Sequence, residues 1–168
     1  HDALPIYKWT FNKTNDVVTF NIRKGVTWSD GTPITAQTFV DSWLRKLDPA
    51  EAAQYADLLY VVKGAEEYNT GKAGTDAVKI RAKSASEFEV TLVGPTPHFP
   101  DMCTHYAFAV HPIHAIKKFG TEWIKPENFV GNGPYVLSEW KAQEKITVVP
   151  NKKYWDAKAV TLKKITFL

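Results

Sequence analysis

Residues 17–47 read VVTFNIRKGVTWSDGTPITAQTFVDSWLRKL, and three kinds of backbone follow one another in them. Val18, Phe20 and Ile22 alternate with Thr19, Asn21 and Arg23, the period of a strand with one buried face. Lys24-Gly25 breaks the alternation. Trp28 to Pro33 forms a turn, because Asp30-Gly31 supplies a left-handed position and Pro33 presets the next bend. Thr35 suits the start of a helix, and Ala36, Phe39, Val40, Trp43, Leu44 and Leu47 then recur at helical spacing. Pro49 stops that helix and holds Asp48 extended. A strand, a turn and an amphipathic helix in this order predict a sheet covered by a helix, with Phe39 and Trp43 as buried anchors.

Downstream, the pattern from Ala50 to Tyr68 is helical again, with Tyr55, Leu58, Leu59 and Val62 on one face and Gly71 as a left-handed cap. Val78, Ile80 and Ala82 alternate, Ser84 to Ser86 turn, and Phe88, Val90 and Leu92 alternate in reply, which predicts a hairpin. This hairpin is expected to share a sheet with Val17 to Arg23. Pro95, Pro97 and Pro100 keep the exit extended or turned. Tyr106 to Val110 reads as a short apolar strand, and His111-Pro112 opens a helix that Gly120 closes. Asn128 to Pro134, NFVGNGP, is a loop expected to need unusual backbone angles. Val136 to Trp140 and Ile146 to Val149 form an antiparallel pair, and Thr161 to Leu168 a last strand. Mixed strands, hairpins and helices make this an α/β or α+β fold.

The chain has 168 residues, 44% of them hydrophobic and 23% charged, which fits a globular domain and excludes a disordered or fibrous one. The longest apolar runs, Leu58 to Val62 and Tyr106 to Val110, are far shorter than the about 20 residues of a membrane span. Net charge is +3, with no basic run of nucleic-acid type, so no nucleic-acid partner is expected. Cys103 is the single cysteine, so no internal disulfide forms. No signal peptide or initiator opens the chain, and His1 is expected to follow a processing event, an expression boundary or a truncation. Aromatics reach 13%, with six Trp and seven Tyr. Such an excess fits either a well-packed core or a carbohydrate, peptide or interlobe surface.

The residues carry little sign of catalysis. Nucleotide, phosphate and metalloprotease motifs are absent, as is the serine elbow of hydrolases. Pro134 removes the backbone donor that a phosphate cradle at Gly131-Asn132-Gly133 would need. His111 and His114 are three residues apart but lack the further ligands of a metal centre. Cys103 has Asp101 nearby and nothing to lower its pKa. No metal, no cofactor and no enzymatic activity are expected.

Several segments together carry a resemblance. Thr19 to Ala36, with its WSDGTP turn, Val40-Asp41-Ser42-Trp43, Leu47-Asp48-Pro49, Phe88 to Leu92, Lys118-Phe119-Gly120, Asn132-Gly133-Pro134-Tyr135 and Asn151 to Asp156 resemble, in order and spacing, the extracytoplasmic solute-binding proteins (family 5) of oligopeptide and dipeptide ABC importers. Gln37-Thr38-Phe39 stands where that family usually has an acidic residue before the Phe. The match runs from about Val17 to the end. Dipeptide, oligopeptide, nickel and haem binders share these motifs, so they do not specify the solute.

The resemblance implies a type II periplasmic-binding-protein fold, here incomplete. Residues 1–112 would be the accessory domain and residues 113–168 the start of the adjoining ligand-binding lobe. It implies recognition of an oligopeptide outside the cytoplasmic membrane, by a free or lipid-anchored protein. Its partners would be the membrane subunits of an ABC importer and the remaining lobes of the same parent. Two ligand-binding residues carry over: Tyr55, soon after Asp48-Pro49, to hydrogen-bond ligand backbone, and His105, between Pro97-His98-Phe99 and Lys118-Phe119-Gly120, to line a side-chain pocket. The other motifs read as turns. An isolated structural or interaction domain without ligand binding of its own is the competing reading, and a hydrolase a remoter one.

Overall fold

A computed structural model describes residues 5–168; His1, the expected processing point, lies outside the described residues. The fold is mixed α/β. Its backbone divides into two compact units, one made of residues 6–23 and 35–111, the other of Pro5 with residues 24–34 and 112–168.

In the first unit, β1 (Ile6–Phe11), β2 (Val17–Ile22), β3 (Ile80–Ser84) and β4 (Glu87–Thr91) form an antiparallel sheet in the order β1-β2-β4-β3. The alternation in β2 does what it predicts: Val18, Phe20 and Ile22 are buried, while Thr19 and Asn21 are partly open. Opposite them, Val90 pairs with Val18 and Phe88 with Phe20, so one sheet face is continuously apolar. Helix α1 (Ala36–Leu47) covers that face, as expected. Thr35 enters it from extended backbone, and its N–H donates to Thr38 Oγ1 at 3.1 Å. Trp43 stands edge-on to Phe88 at 5.0 Å, and Phe39 stacks on Phe88 at 5.4 Å. The Trp43 indole N–H donates to the Phe108 carbonyl at 3.0 Å, which satisfies its one polar atom inside the core. The buried Ser42 hydroxyl donates to Thr38 O at 2.6 Å and accepts from His111 N–H at 2.9 Å. The β3–β4 turn receives both neighbouring chain segments: Ile22 N–H donates to Ser86 O and Ala36 N–H to Ala85 O, each at 2.9 Å.

Strand β1 has no counterpart in the sequence reading. Its burial runs intermediate at the two ends and exposed between them, so IYKWTF carries no alternation to detect. The single helical stretch expected from Ala50 to Tyr68 is broken. Residues Pro49–Glu51 and Ala56–Val61 are 3-10 turns, and α2 covers only Ala65–Asn69. The breaks sit at Ala52 and Tyr55, with φ of 45° and 59°, and at Gly64, with φ of 81°. A Cβ at Gly64 would collide with the Ala77 carbonyl oxygen, so only glycine fits. After the short α3 (Phe99–Met102), the strand expected over Tyr106 to Val110 is instead a 3-10 turn, Tyr106–Phe108. The His105 side chain, not a neighbouring strand, satisfies the first free amide: Ala107 N–H donates to His105 Nδ1 at 3.2 Å.

The second unit holds α4 (Ile113–Phe119) and the antiparallel sheet β5 (Tyr135–Lys141), β6 (Lys145–Pro150) and β7 (Ile165–Phe167). The last strand is shorter than expected from Thr161 onward. The WSDGTP turn belongs here. Gly31 adopts φ of 97°, Gly31 N–H donates to Trp28 O at 2.9 Å, and Asp30 Oδ1 accepts from Thr32 N–H at 2.9 Å. Ser29 N–H donates to Gly131 O at 2.8 Å, and Gly131 N–H returns to Ser29 Oγ at 3.2 Å. The NFVGNGP loop does not need left-handed backbone at Gly131 or Gly133; a Cβ at Gly131 would come within 3.0 Å of the Phe129 ring. Asn151 is buried and ties down the same loop through Nδ2 to Gly133 O at 2.9 Å. No helix among the described residues is long and apolar enough to cross a membrane.

Candidate functional site

Tyr55 and His105, fifty residues apart in sequence, come together in the first unit. Their ring centroids are 5.6 Å apart at 70°. Tyr106 joins them: it stacks on His105 at 4.4 Å and 28°, and meets Tyr55 edge-on at 5.6 Å and 89°. Two parallel rings and one perpendicular ring make a right-angled aromatic corner, and all three residues are exposed. Exposed clustered rings leave apolar faces in water beside hydroxyl and imidazole groups, a combination suited to grip a ligand with both kinds of surface.

The backbone fixes each ring. Tyr55 is a bulky residue at φ 59°, ψ 26°, a left-handed conformation that costs of order 1–3 kcal/mol and tends to mark ligand sites. The flanking Leu59 and Ala56 are buried and hold the strained residue in place. His105 accepts from Ala107 N–H through Nδ1; in the neutral ring the proton therefore sits on Nε2, which is left as a donor. Ala107 and Phe108 are buried immediately after Tyr106. The Tyr106 hydroxyl is pushed above its ordinary pKa, first by partial loss of water and then by its hydrogen bond and proximity to the Tyr55 phenol. Tyr106 was missed by the sequence reading because it opens an apolar run that resembles a buried strand.

The remaining candidates hold no comparable arrangement. For Cys103, burial pushes the thiol pKa up, away from the reactive thiolate. Among the described residues, no group of three or more His, Cys, Asp or Glu side chains is placed to hold a metal ion. In the second unit a cleft of about 390 Å³ is lined by Ser29, Asp30, His114, Lys118, Glu127 and Phe129, among others. There His114 Nε2 meets Asp30 Oδ2 at 2.7 Å. Partial burial acts to raise the Asp30 pKa, but the Thr32 amide and His114 outweigh it and hold the carboxyl below its ordinary value. Both groups beside that histidine already shape the loops: Asp30 Oδ1 accepts from Thr32 N–H and Ser29 Oγ from Gly131 N–H.

The sequence pattern of the bacterial extracellular solute-binding proteins, family 5 Middle, matches residues 6–168. The chain belongs to this family. It is 39% identical over 160 residues to the dipeptide-binding protein DppE of Bacillus subtilis, covering 94% of the chain and 29% of that relative. It is 38% identical over 170 residues to the periplasmic oligopeptide-binding protein OppA of Escherichia coli, covering 100% of the chain and 31% of the relative. The fold superposes on a periplasmic oligopeptide-binding protein of Borrelia burgdorferi with a TM-score of 0.94 at 36% identity, over 98% of this chain and 33% of that one. Haemophilus influenzae OppA in complex with RPPGFSPFR gives the same TM-score of 0.94 at 35% identity, over 98% and 32%. This family-5 chain thus spans about a third of the length of the relatives it matches, and within it the WSDGTP and Asn132-Gly133-Pro134 motifs are backbone fasteners.

Proposed function

We propose that this chain supplies one wall of the solute site of a peptide-binding protein that serves an ABC importer. In this reading the first unit, residues 6–23 and 35–111, is the accessory domain expected over residues 1–112, and the second unit begins a ligand-binding lobe. Tyr55 would hydrogen-bond ligand backbone, and His105 would line a side-chain pocket. The observation that supports it is the convergence of these two residues on one exposed aromatic surface, with Tyr55 held in a strained backbone conformation that burial does not require. The role is recognition, with no bond made or broken. The ligand would be an oligopeptide, as in relatives named for dipeptide or oligopeptide binding. Delivery to the importer's membrane subunits, outside the cytoplasmic membrane and in a free or lipid-anchored form, belongs to the same reading.

Affinity in such a site comes from enclosing the ligand, which strengthens each polar contact. One wall offers a few hydrogen bonds worth about 0.5–1.5 kcal/mol each, against an association cost of at least about 4 kcal/mol. Calorimetry with the nonapeptide RPPGFSPFR should therefore give binding to a full-length parent and none tighter than millimolar to this chain alone. Micromolar binding by the chain alone would overturn the one-wall reading. Failure of the full-length protein to bind any peptide would overturn the peptide assignment.

A second reading, an interaction module, rests on a separate observation. Trp140 pairs with Ile146, and Ile146 with Phe167, across β5, β6 and β7, and all three are exposed. Sedimentation of the chain should show self-association that Phe167→Ser weakens if this row is a contact surface; a concentration-independent monomer would remove the reading.

A further inference from the structure

We propose that Tyr106 makes the aromatic corner selective for an arginine side chain of the bound peptide. The inference rests on the peptide-binding reading above and adds a residue and a ligand chemistry to it.

The first argument is geometric. Tyr106 is 60% exposed, although the next two residues, Ala107 and Phe108, are buried. The chain places small and large apolar groups inward and turns this one ring outward. The ring is not loose. Its imidazole neighbour stacks on it, the Tyr55 ring braces it edge-on, and the turn that carries it is anchored by the Trp43 indole on Phe108 O. A ring fixed in advance loses little freedom when a ligand arrives.

The second argument is electrostatic. The three rings are carried by residues 48–62 and 94–110, which contain Asp48, Glu51, Asp57 and Asp101 but no lysine or arginine. Glu51 is paired with Arg45 of α1; the other carboxylates leave the two segments that carry the rings net negative. A cation over an aromatic face is attracted by the ring quadrupole. Guanidinium fits better than ammonium, because its planar group stacks flat on a ring while its edge still donates to hydroxyl oxygens such as that of Tyr55. A neutral aromatic side chain would gain the stacking without the charge.

The test uses the full-length protein carrying this chain and tripeptides of alanine in which arginine, citrulline or phenylalanine is scanned through the three positions. Citrulline keeps the planar shape and removes the charge. At one position arginine should bind about fivefold tighter than alanine, and citrulline should lose most of that gain. Tyr106→Ala should abolish the arginine preference, read as the ratio of arginine-peptide to trialanine affinity in the same variant, and Tyr106→Phe should retain it. An unchanged arginine preference in Tyr106→Ala would overturn the proposal, as would an equal loss for every peptide, which would mean a purely structural role. Equal wild-type affinity for arginine and citrulline peptides would also overturn it. A wild-type protein that binds none of the peptides would overturn the peptide-binding reading itself.

Discussion

The two sheets of this molecule are both antiparallel, yet they treat their apolar residues in opposite ways. In the four-stranded sheet Val18, Phe88 and Val90 are 0% exposed beneath α1. In the three-stranded sheet the paired row Trp140, Ile146 and Phe167 is 48%, 37% and 57% exposed. One sheet has its covering layer supplied by the adjacent helix of its own unit. The other places aromatic and aliphatic side chains on a face that remains open. Local pattern sets which residues line up across strands; whether a face becomes a core depends on a second layer.

The sharpest way to break this comparison is to remove the anchor of the covered sheet. Trp43→Ala should cost about 3–5 kcal/mol, read as a shift in denaturant midpoint, because the ring contacts Phe88, Phe99 and Phe108 together. A loss below 1 kcal/mol would mean that α1 does not carry that core.

A smaller effect should follow from pH. Burial first, with nearby Lys46 and Arg45 second, lowers the His111 pKa from 6.5 to about 4. The unfolded chain then binds the extra proton in this window, so stability is full above pH 6.5 and declines as pH falls toward 4. Each pKa unit corresponds to about 1.4 kcal/mol; after allowance for partial exposure, the loss should be of order 2 kcal/mol. His111→Gln should flatten the difference between pH 7 and pH 4 by that amount. Protection of β2 and β4 amides from hydrogen exchange locates the effect in the first unit, and an equal change in β5 and β6 would contradict it.

At the proposed ligand wall, Tyr55→Phe in a full-length protein should weaken peptide binding by about three- to tenfold without lowering the melting temperature by more than a degree or two, since one hydroxyl and one net hydrogen bond are removed. The smallest effect belongs to the open sheet. Phe167→Ser should change stability by less than about 0.5 kcal/mol; a larger loss in unfolding experiments would show that the row is already part of a core.

Much of the covered sheet was legible in the sequence. The alternation in β2, the hairpin of β3 and β4, and the 3.6-residue spacing between Thr35 and Pro49 each depend on neighbours close in sequence. Residues 24–34 were legible as a turn, but their hydrogen bonds to Gly131 lie a hundred positions downstream, where no period reaches. The candidate site was less legible from residues alone. Helical spacing put Tyr55 on the inner face with Leu58, Leu59 and Val62, because spacing is blind to left-handed residues; Leu59 and Val62 are buried, whereas Tyr55 turns out to solvent. The resemblance to a family named Tyr55 and His105. It did not name Tyr106, whose surroundings Ala107, Phe108 and Ala109 suggest a buried strand until a histidine side chain is seen to cap the turn.

The two hydrogen bonds that Ile22 and Ala36 make to adjacent residues of the β3–β4 turn have a use in engineering. They bring the exit and re-entry points of the excursion 24–34 close together, so the ends of that segment form a natural splice site. Replacing it with a linker of about four residues, roughly a third of its length, should lower the cost of closing the loop by about 1 kcal/mol and leave β2 and α1 in register. The same point could accept a foreign peptide in place of the native excursion. The first unit is, in that sense, already a scaffold with one port.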